Sequence, residues 1–254
     1  MTEELQPHIQ LSNDVGATYA LLPGDPARVD RVARFLEEPR ELAYNREYKS
    51  VCGTYKGIRV LVTSTGIGGA SAGIAIEELH NIGVQTMIRI GSCGALQPQA
   101  RIGDLIIAAG AVRNDGASQA YIEQGYPAIP DPHLLARTVA TADRLGYTNY
   151  CGPVRSHDSF YTDREEAIDR FWSERGVLGS DMETAALFVI GRLRGVRTAS
   201  LLNVVVEAAG SLEGGINEFV AQENASARGE ERQMTTALET VVADAKVTLG
   251  LSIN

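Results

Sequence analysis

Met87-Ile88-Arg89-Ile90-Gly91-Ser92-Cys93-Gly94-Ala95-Leu96 is the stretch on which both the fold and the chemistry turn. Its first half has the apolar character of a buried strand, interrupted by one arginine. A guanidinium is almost never buried without a partner. Gly91, Ser92 and Gly94 then read as a small-residue turn offering backbone N–H groups and a hydroxyl at close approach. Strand, buried cation and Gly/Ser turn together suit an oxyanion such as phosphate. A core carboxylate paired with Arg89 accounts for the same residues equally well.

Upstream, Tyr19 to Leu22 reads as a strand that ends at Pro23-Gly24-Asp25-Pro26. Asp25 as N-cap and Pro26 as first helical residue start a helix, with Val29, Val32, Ala33 and Leu36 at helical spacing. Arg28 falls in its first turn, where a cation opposes the macrodipole and an anion would explain it. From Glu41 to Thr65 the pattern is β, with a hairpin turn at Lys56-Gly57. Ser64-Thr65-Gly66-Ile67-Gly68-Gly69-Ala70-Ser71 passes from strand into a helix that runs to about His80. Ser71 stands where a dinucleotide fingerprint needs its last glycine, so no nucleotide cofactor is expected.

Downstream, Thr86–Ile90 and Asp104–Val112 are the next strands, and Arg113–Pro130 reads as a polar loop. Asp131-Pro132 caps another helix. A strand around Tyr150–Arg155 leads to Phe160-Tyr161 and an acidic helix start at Thr162–Glu166. Ala185–Leu193 is apolar nearly all round and therefore a central helix; Met182-Glu183 precede it, with Glu183 equally readable as a capping carboxylate. Thr198–Val206 is a buried strand. Glu207–Glu230 is Gly-rich, acidic and poorly periodic, the pattern of a mobile lid. Met234, Leu238, Val241, Ala245 and Leu249 stripe a last helix. Strands alternating with helices predict a single α/β domain over residues 1–254, a mixed central β-sheet with helices on both faces.

The 254 residues suffice for a full core, and the net charge of −9 argues against a nucleic-acid surface. No apolar run approaches the length of a membrane span, and the acidic, polar segment Met1–His8 lacks the pattern of a signal peptide. Cys52, Cys93 and Cys151 are odd in number and without C-x-x-C spacing, which fits a reducing cytoplasm and no metal site.

The ordered set Pro23-Gly24-Asp25-Pro26-x-Arg28, Arg46-Glu47, Ser64 to Gly69, Arg89 to Gly94, Phe160-Tyr161 and Met182-Glu183 resembles the nucleoside phosphorylase-I family. The likeness runs from His8 into the final helix and is strongest to the bacterial uridine phosphorylases. It implies a pentosyltransferase that converts nucleoside and phosphate to free base and ribose 1-phosphate, with uridine as substrate and nucleoside salvage as its setting. A purine nucleoside phosphorylase, a nucleosidase and a non-catalytic nucleoside-binding protein are the alternatives.

The resemblance implies a phosphate site of Gly24, Arg28, Arg89 and Ser92, completed by Arg46 from a neighbouring subunit. Met182 and Glu183 would hold ribose, with His8 reaching in from the neighbour. Phe160, Arg164, Val205 and Val206 would meet the base. The assembly implied is a hexamer, a trimer of dimers, with a monovalent cation such as K⁺ near Glu47, Ile67 and Ser71 and no organic cofactor. One departure stands out. The uridine enzymes read uracil with a Gln-x-Arg pair after Phe-Tyr, and here Arg164 and Glu166 occupy those places.

Overall fold

A computed structural model describes residues 4–208, 224–248 and Gly250. All nine strands found there belong to one sheet: β1 (Tyr19–Leu22), β2 (Glu37–Asn45), β3 (Tyr48–Tyr55), β4 (Ile58–Thr63), β5 (Thr86–Ala95), β6 (Leu105–Asn114), β7 (Asn149–His157), β8 (Gly179–Asp181) and β9 (Arg197–Val206). Their order is β2-β3-β4-β1-β5-β8-β7-β6-β9, and β9 also pairs with β5, so one half of the sheet curls back on itself. The sheet is mixed as expected: β1 runs parallel to β4 and β5, whereas β3 is antiparallel to β2 and β4.

Helices cover both faces. On one side α2 (Gly69–Asn81), α3 (Gly116–Tyr121) and α6 (Thr184–Leu193) pack together. Ala75, Ile76 and Leu79 of α2 meet a run of buried residues from Ala185 to Ile190 in one core. On the other side lie α1 (Pro26–Ala33), α4 (Pro132–Arg144) and α7 (Asn224–Thr248). There Val29, Val32 and Leu134 join Met234, Leu238, Val241 and Ala245, the stripe expected of the last helix. Leu249 lies outside the described residues. The remaining helix, α5 (Glu165–Ser173), carries no buried residue.

Several sequence expectations are corrected. The turn expected after Ile90 is instead a continuing strand, because β5 runs on to Ala95 and pairs with β9 through Gly94. The Arg89 guanidinium folds back over Gly91, and a Cβ there would press on it. The polar loop Arg113–Pro130 contains α3, capped by the buried Asp115, which accepts from Ser118 N at 2.7 Å. Arg113 collects carbonyls of Ser118, Ile122, Glu123 and Tyr126 around that helix. The N-cap of α5 is Arg164 with no side-chain cap, not Thr162. Asn224–Glu230, expected within a lid, opens α7; residues 209–223 lie outside the described region.

Candidate active site

The carboxyl ends of β1, β4, β5 and β9 open onto one cavity, the place where ligands of α/β sheets bind. Its volume of about 1730 Å³ leaves room for a nucleoside and an anion side by side. The first wall is two loops zipped together, with Thr65 N donating to Pro23 O at 2.9 Å and Gly66 N to Gly24 O at 3.0 Å. Gly24 sits so close to the second loop that a Cβ would come within 3.2 Å of Gly66 O. Asp25 caps α1 through Ala27 N, 2.9 Å away, which fixes Arg28 over the end of β5.

Arg28 is 2% exposed. It donates Nη1 to Ile90 O at 2.8 Å, Nη2 to Ser92 Oγ at 3.0 Å, and Nε to Glu230 Oε2 at 2.9 Å. The anion invoked to explain a cation in this first turn is thus supplied within the chain, by a carboxylate of α7 that also pairs with Arg31. Glu230 and Arg31 were not picked out from sequence, because their contacts span about two hundred positions.

Arg89 resolves the ambiguity of the opening stretch, since it is both an ion pair and an open donor. Nε donates to Asp181 Oδ2 at 2.9 Å and Nη2 meets Glu183 Oε2 at 2.5 Å. Its Nη1 is buried and has no hydrogen-bond partner among the described residues, a costly condition for a charged donor unless a ligand completes it. Asp181 is fully occupied, accepting also from Ser156 Oγ, Thr184 N and Thr184 Oγ1.

Glu183 does not cap α6 with its side chain. It accepts from Gly68 N at 2.5 Å instead. Burial pushes its carboxyl up, Arg89 pulls it back down, and the neighbouring Asp181 charge adds to the rise. Met182 lies beside it in the cavity wall, with Phe160, Val205 and Val206 further along. Burial drives the Cys93 thiol upward, so this cysteine is an inert wall residue.

Four of the expected residues, Arg164, Arg46, His8 and Ser71, lie outside the cavity wall. Arg164 is exposed and outside the cavity wall. Arg46 sits exposed at the tip of the β2–β3 hairpin with φ of 54°. His8 meets Glu78 through Nδ1 at 2.6 Å, and Asn45 Nδ2 donates to His8 O at 2.8 Å. His8 and the Arg46 hairpin therefore share one surface patch, and neither His8 nor Arg46 lines this chain's own cavity, although Glu47 beside Arg46 does. Ile67, 79% exposed, belongs to the cavity rim, and Ser71 Oγ donates to Glu47 Oε1 at 2.7 Å. The cavity wall also includes Arg155, His157, Glu165 and Asp169, which sequence reading did not assign.

Arg89, with one unfilled donor and Glu183 on another, and Arg28, bonded to the Ser92 hydroxyl, line one cavity, a set of groups that suits an oxyanion beside a polyol, as in glycosyl transfer to phosphate. Residues 18–243 match the model of the Phosphorylase superfamily. The uridine phosphorylase of Thermococcus kodakarensis is 41% identical over 217 residues, 80% of this chain and 78% of that protein. The guanosine phosphorylase of Halorubrum lacusprofundi is 39% identical over 199 residues, 78% of this chain and 82% of that one. The crystal structure of uridine phosphorylase from Vibrio fischeri superposes with a TM-score of 0.89 at 42% identity, covering 96% of this chain and 99% of that one. The chain belongs to the Phosphorylase superfamily, as an enzyme of its nucleoside phosphorylase kind.

Proposed function

We propose that the protein cleaves nucleosides with inorganic phosphate, uridine foremost, giving free base and ribose 1-phosphate. The observation that carries this reading is the buried Nη1 of Arg89, without a partner among the described residues, on a guanidinium whose Nη2 meets the Glu183 carboxylate. Phosphate bound there by Arg89, Arg28, Ser92 and the Gly24 backbone is positioned as nucleophile below C1′. Glu183 and Met182 hold the ribose. No side chain needs to form a covalent bond, because the ribosyl centre passes through an oxocarbenium-like state that the dianion stabilises. Val205 and Val206 give the base an apolar wall. Guanosine is the second reading, favoured by Glu165 and Asp169 in the cavity wall, carboxylates of the kind that accept from a guanine edge.

The test is incubation with uridine, guanosine, inosine and thymidine, with and without phosphate, following free base and ribose 1-phosphate. Release of base that ignores phosphate would sink the phosphorolysis.

His8 and Arg46 complete the site of a second copy in this reading, which the shared patch supports. In the same reading Glu47, Ile67 and Ser71 would hold a monovalent cation such as K⁺ between copies, within a hexamer built as a trimer of dimers. The setting is cytoplasmic salvage; no helix among the described residues is long and apolar enough to cross a membrane. Arg46→Ala and Arg89→Ala enzymes, each inactive or nearly so alone, should regain activity when mixed and reassembled. Some assemblies then contain one intact site. No recovery after verified subunit exchange would show that each chain supplies its own site.

A further inference from the structure

The position expected to read the base, Arg164, lies outside the cavity, while another arginine stands inside it. Across the sheet, Val206 of β9 pairs with Gly94 of β5, Gly94 with Ser180 of β8, and Ser180 with Arg155 of β7. Paired residues in a sheet present their side chains to the same face. The row therefore runs from the apolar wall at Val206 across Gly94 to Arg155. Gly94 leaves the row open, since a Cβ there would meet nothing within 4 Å. Ser92, two residues earlier on β5, shares that face.

Arg155 is half-buried and, among the described residues, commits only Nε, to Asn114 Oδ1 at 2.9 Å. Its guanidinium makes no ion pair among the described residues; Asp169 and Glu165 attract it from α5 at longer range. His157 follows at the next same-face position of β7. Its Nδ1 lies 2.9 Å from Ser159 O. A carbonyl oxygen only accepts, so Nδ1 carries the proton and the neutral ring leaves a lone pair on Nε2. The cavity thus presents, two residues apart on one strand, an open cationic donor and an acceptor.

We propose that Arg155 and His157 read the lactam edge of the leaving base: Arg155 donates to a ring carbonyl and His157 Nε2 accepts the adjacent ring N–H. The inference rests on the phosphorolysis proposed above and names its substrate class. Uracil, thymine, hypoxanthine and guanine all carry a C=O beside an N–H. Cytosine and adenine carry the reverse, an amino donor beside a bare ring nitrogen, so both contacts become mismatches. Arg155 is also the donor that takes up negative charge on the departing base, the role left empty by Arg164 and Glu166.

Burial lowers the proton affinity of His157 and Arg155 lowers it further; the Ser159 carbonyl, Asp181 of β8 and Asp169 of α5 act in the opposite sense. The acceptor therefore persists below the ordinary imidazole range. Discrimination should collapse only at more acidic pH, where Nε2 is protonated.

The experiment is kcat/KM at saturating phosphate for uridine, cytidine, inosine and adenosine, with variants checked for native Tm. The wild type should prefer each oxo nucleoside over its amino counterpart by at least about 10²-fold. Arg155→Ala should lower uridine kcat/KM by about 10²-fold with the KM for phosphate unchanged, and Arg155→Lys should recover part of it. His157→Ala should narrow the uridine-to-cytidine ratio and remove its acid dependence; His157→Gln, which restores an acceptor, should widen it again. That ratio cancels the titration of phosphate itself. Phosphorolysis with ratios and rates unmoved in Arg155→Ala and His157→Ala overturns this inference alone. A wild type that releases no base from any nucleoside overturns it together with the reaction.

Discussion

Two buried clusters of carboxylate and guanidinium lie at opposite ends of the parallel strands, and they are built differently. At the amino ends of β1, β5 and β9, Asp244 of α7 has a side chain with no exposed surface. Its oxygens accept from Tyr19 OH at 2.8 Å, Arg137 Nη1 at 2.6 Å, and Arg197 Nη1 and Nη2 at 2.8 and 2.7 Å. Arg197 also reaches Thr86 Oγ1. At the carboxyl ends, Arg89 has two carboxylate partners and still one donor unfilled. The first cluster is closed and ties α7 and α4 to the strand starts. The second is buried and open, with one donor lacking a partner among the described residues. A buried charge cluster with its bonds made is costly to break, whereas one short of a partner is a candidate for a ligand site.

The acid–base behaviour of the two carboxylates carries opposite signs. Burial raises the Asp244 carboxyl, but the hydrogen bonds from Arg197 and Tyr19 outweigh it, and the net displacement is downward. Its stabilisation is therefore present above the unfolded-state value and is lost as pH falls through the depressed one. Glu183 is displaced upward, so its ionisation subtracts stability as pH rises through its folded-state value.

The largest effect tests the open end. Arg89→Ala should cut kcat/KM by about 10²–10³-fold and weaken apparent phosphate affinity; normal phosphate kinetics in a folded variant would place the anion elsewhere. At the closed end, Asp244→Asn should destabilise the protein by about 3–5 kcal/mol, leaving activity per folded molecule intact. The stability gap to the wild type, measured by denaturant melts, should close as the pH drops below the carboxylate range. A gap independent of pH would mean that Asp244 acts through packing alone. Glu183→Gln is the smallest of the three: nucleoside kcat/KM should fall by about ten- to a hundredfold, since a hydrogen bond to a charged group contributes about 1.5–3 kcal/mol. Stability should change little, and acidification should no longer favour the fold through this residue. A larger stability loss than in Asp244→Asn would erase the distinction between the two ends.

Much of this was legible in the residues themselves. Asp25-Pro26 predicts the start of α1, the nearly all-round apolar Ala185–Leu193 predicts a central helix, and the buried Arg89 announces a partner. Short-range rules govern these features: capping, periodicity, and the cost of an isolated buried charge. β2 and β8 were harder, because an edge strand with exposed side chains and a three-residue strand have no alternation to detect. Arg155 and His157 escaped for a related reason. On a strand, two polar residues at period two indicate only a shared face, and nothing local says that the face lines a cavity.

By itself, then, the sequence determined the α/β alternation and the starts of helices such as α1 and α4, since each follows from neighbours a few positions apart. Tertiary structure alone decided that Glu230 neutralises Arg28, that Arg164 faces outward, and that Val206, Gly94, Ser180 and Arg155 form one row. The row depends on strand order and register, which join Arg155 to Ser180, Ser180 to Gly94 and Gly94 to Val206 through backbone pairing that no local pattern encodes; the Arg28–Glu230 pair likewise joins two helices far apart in sequence.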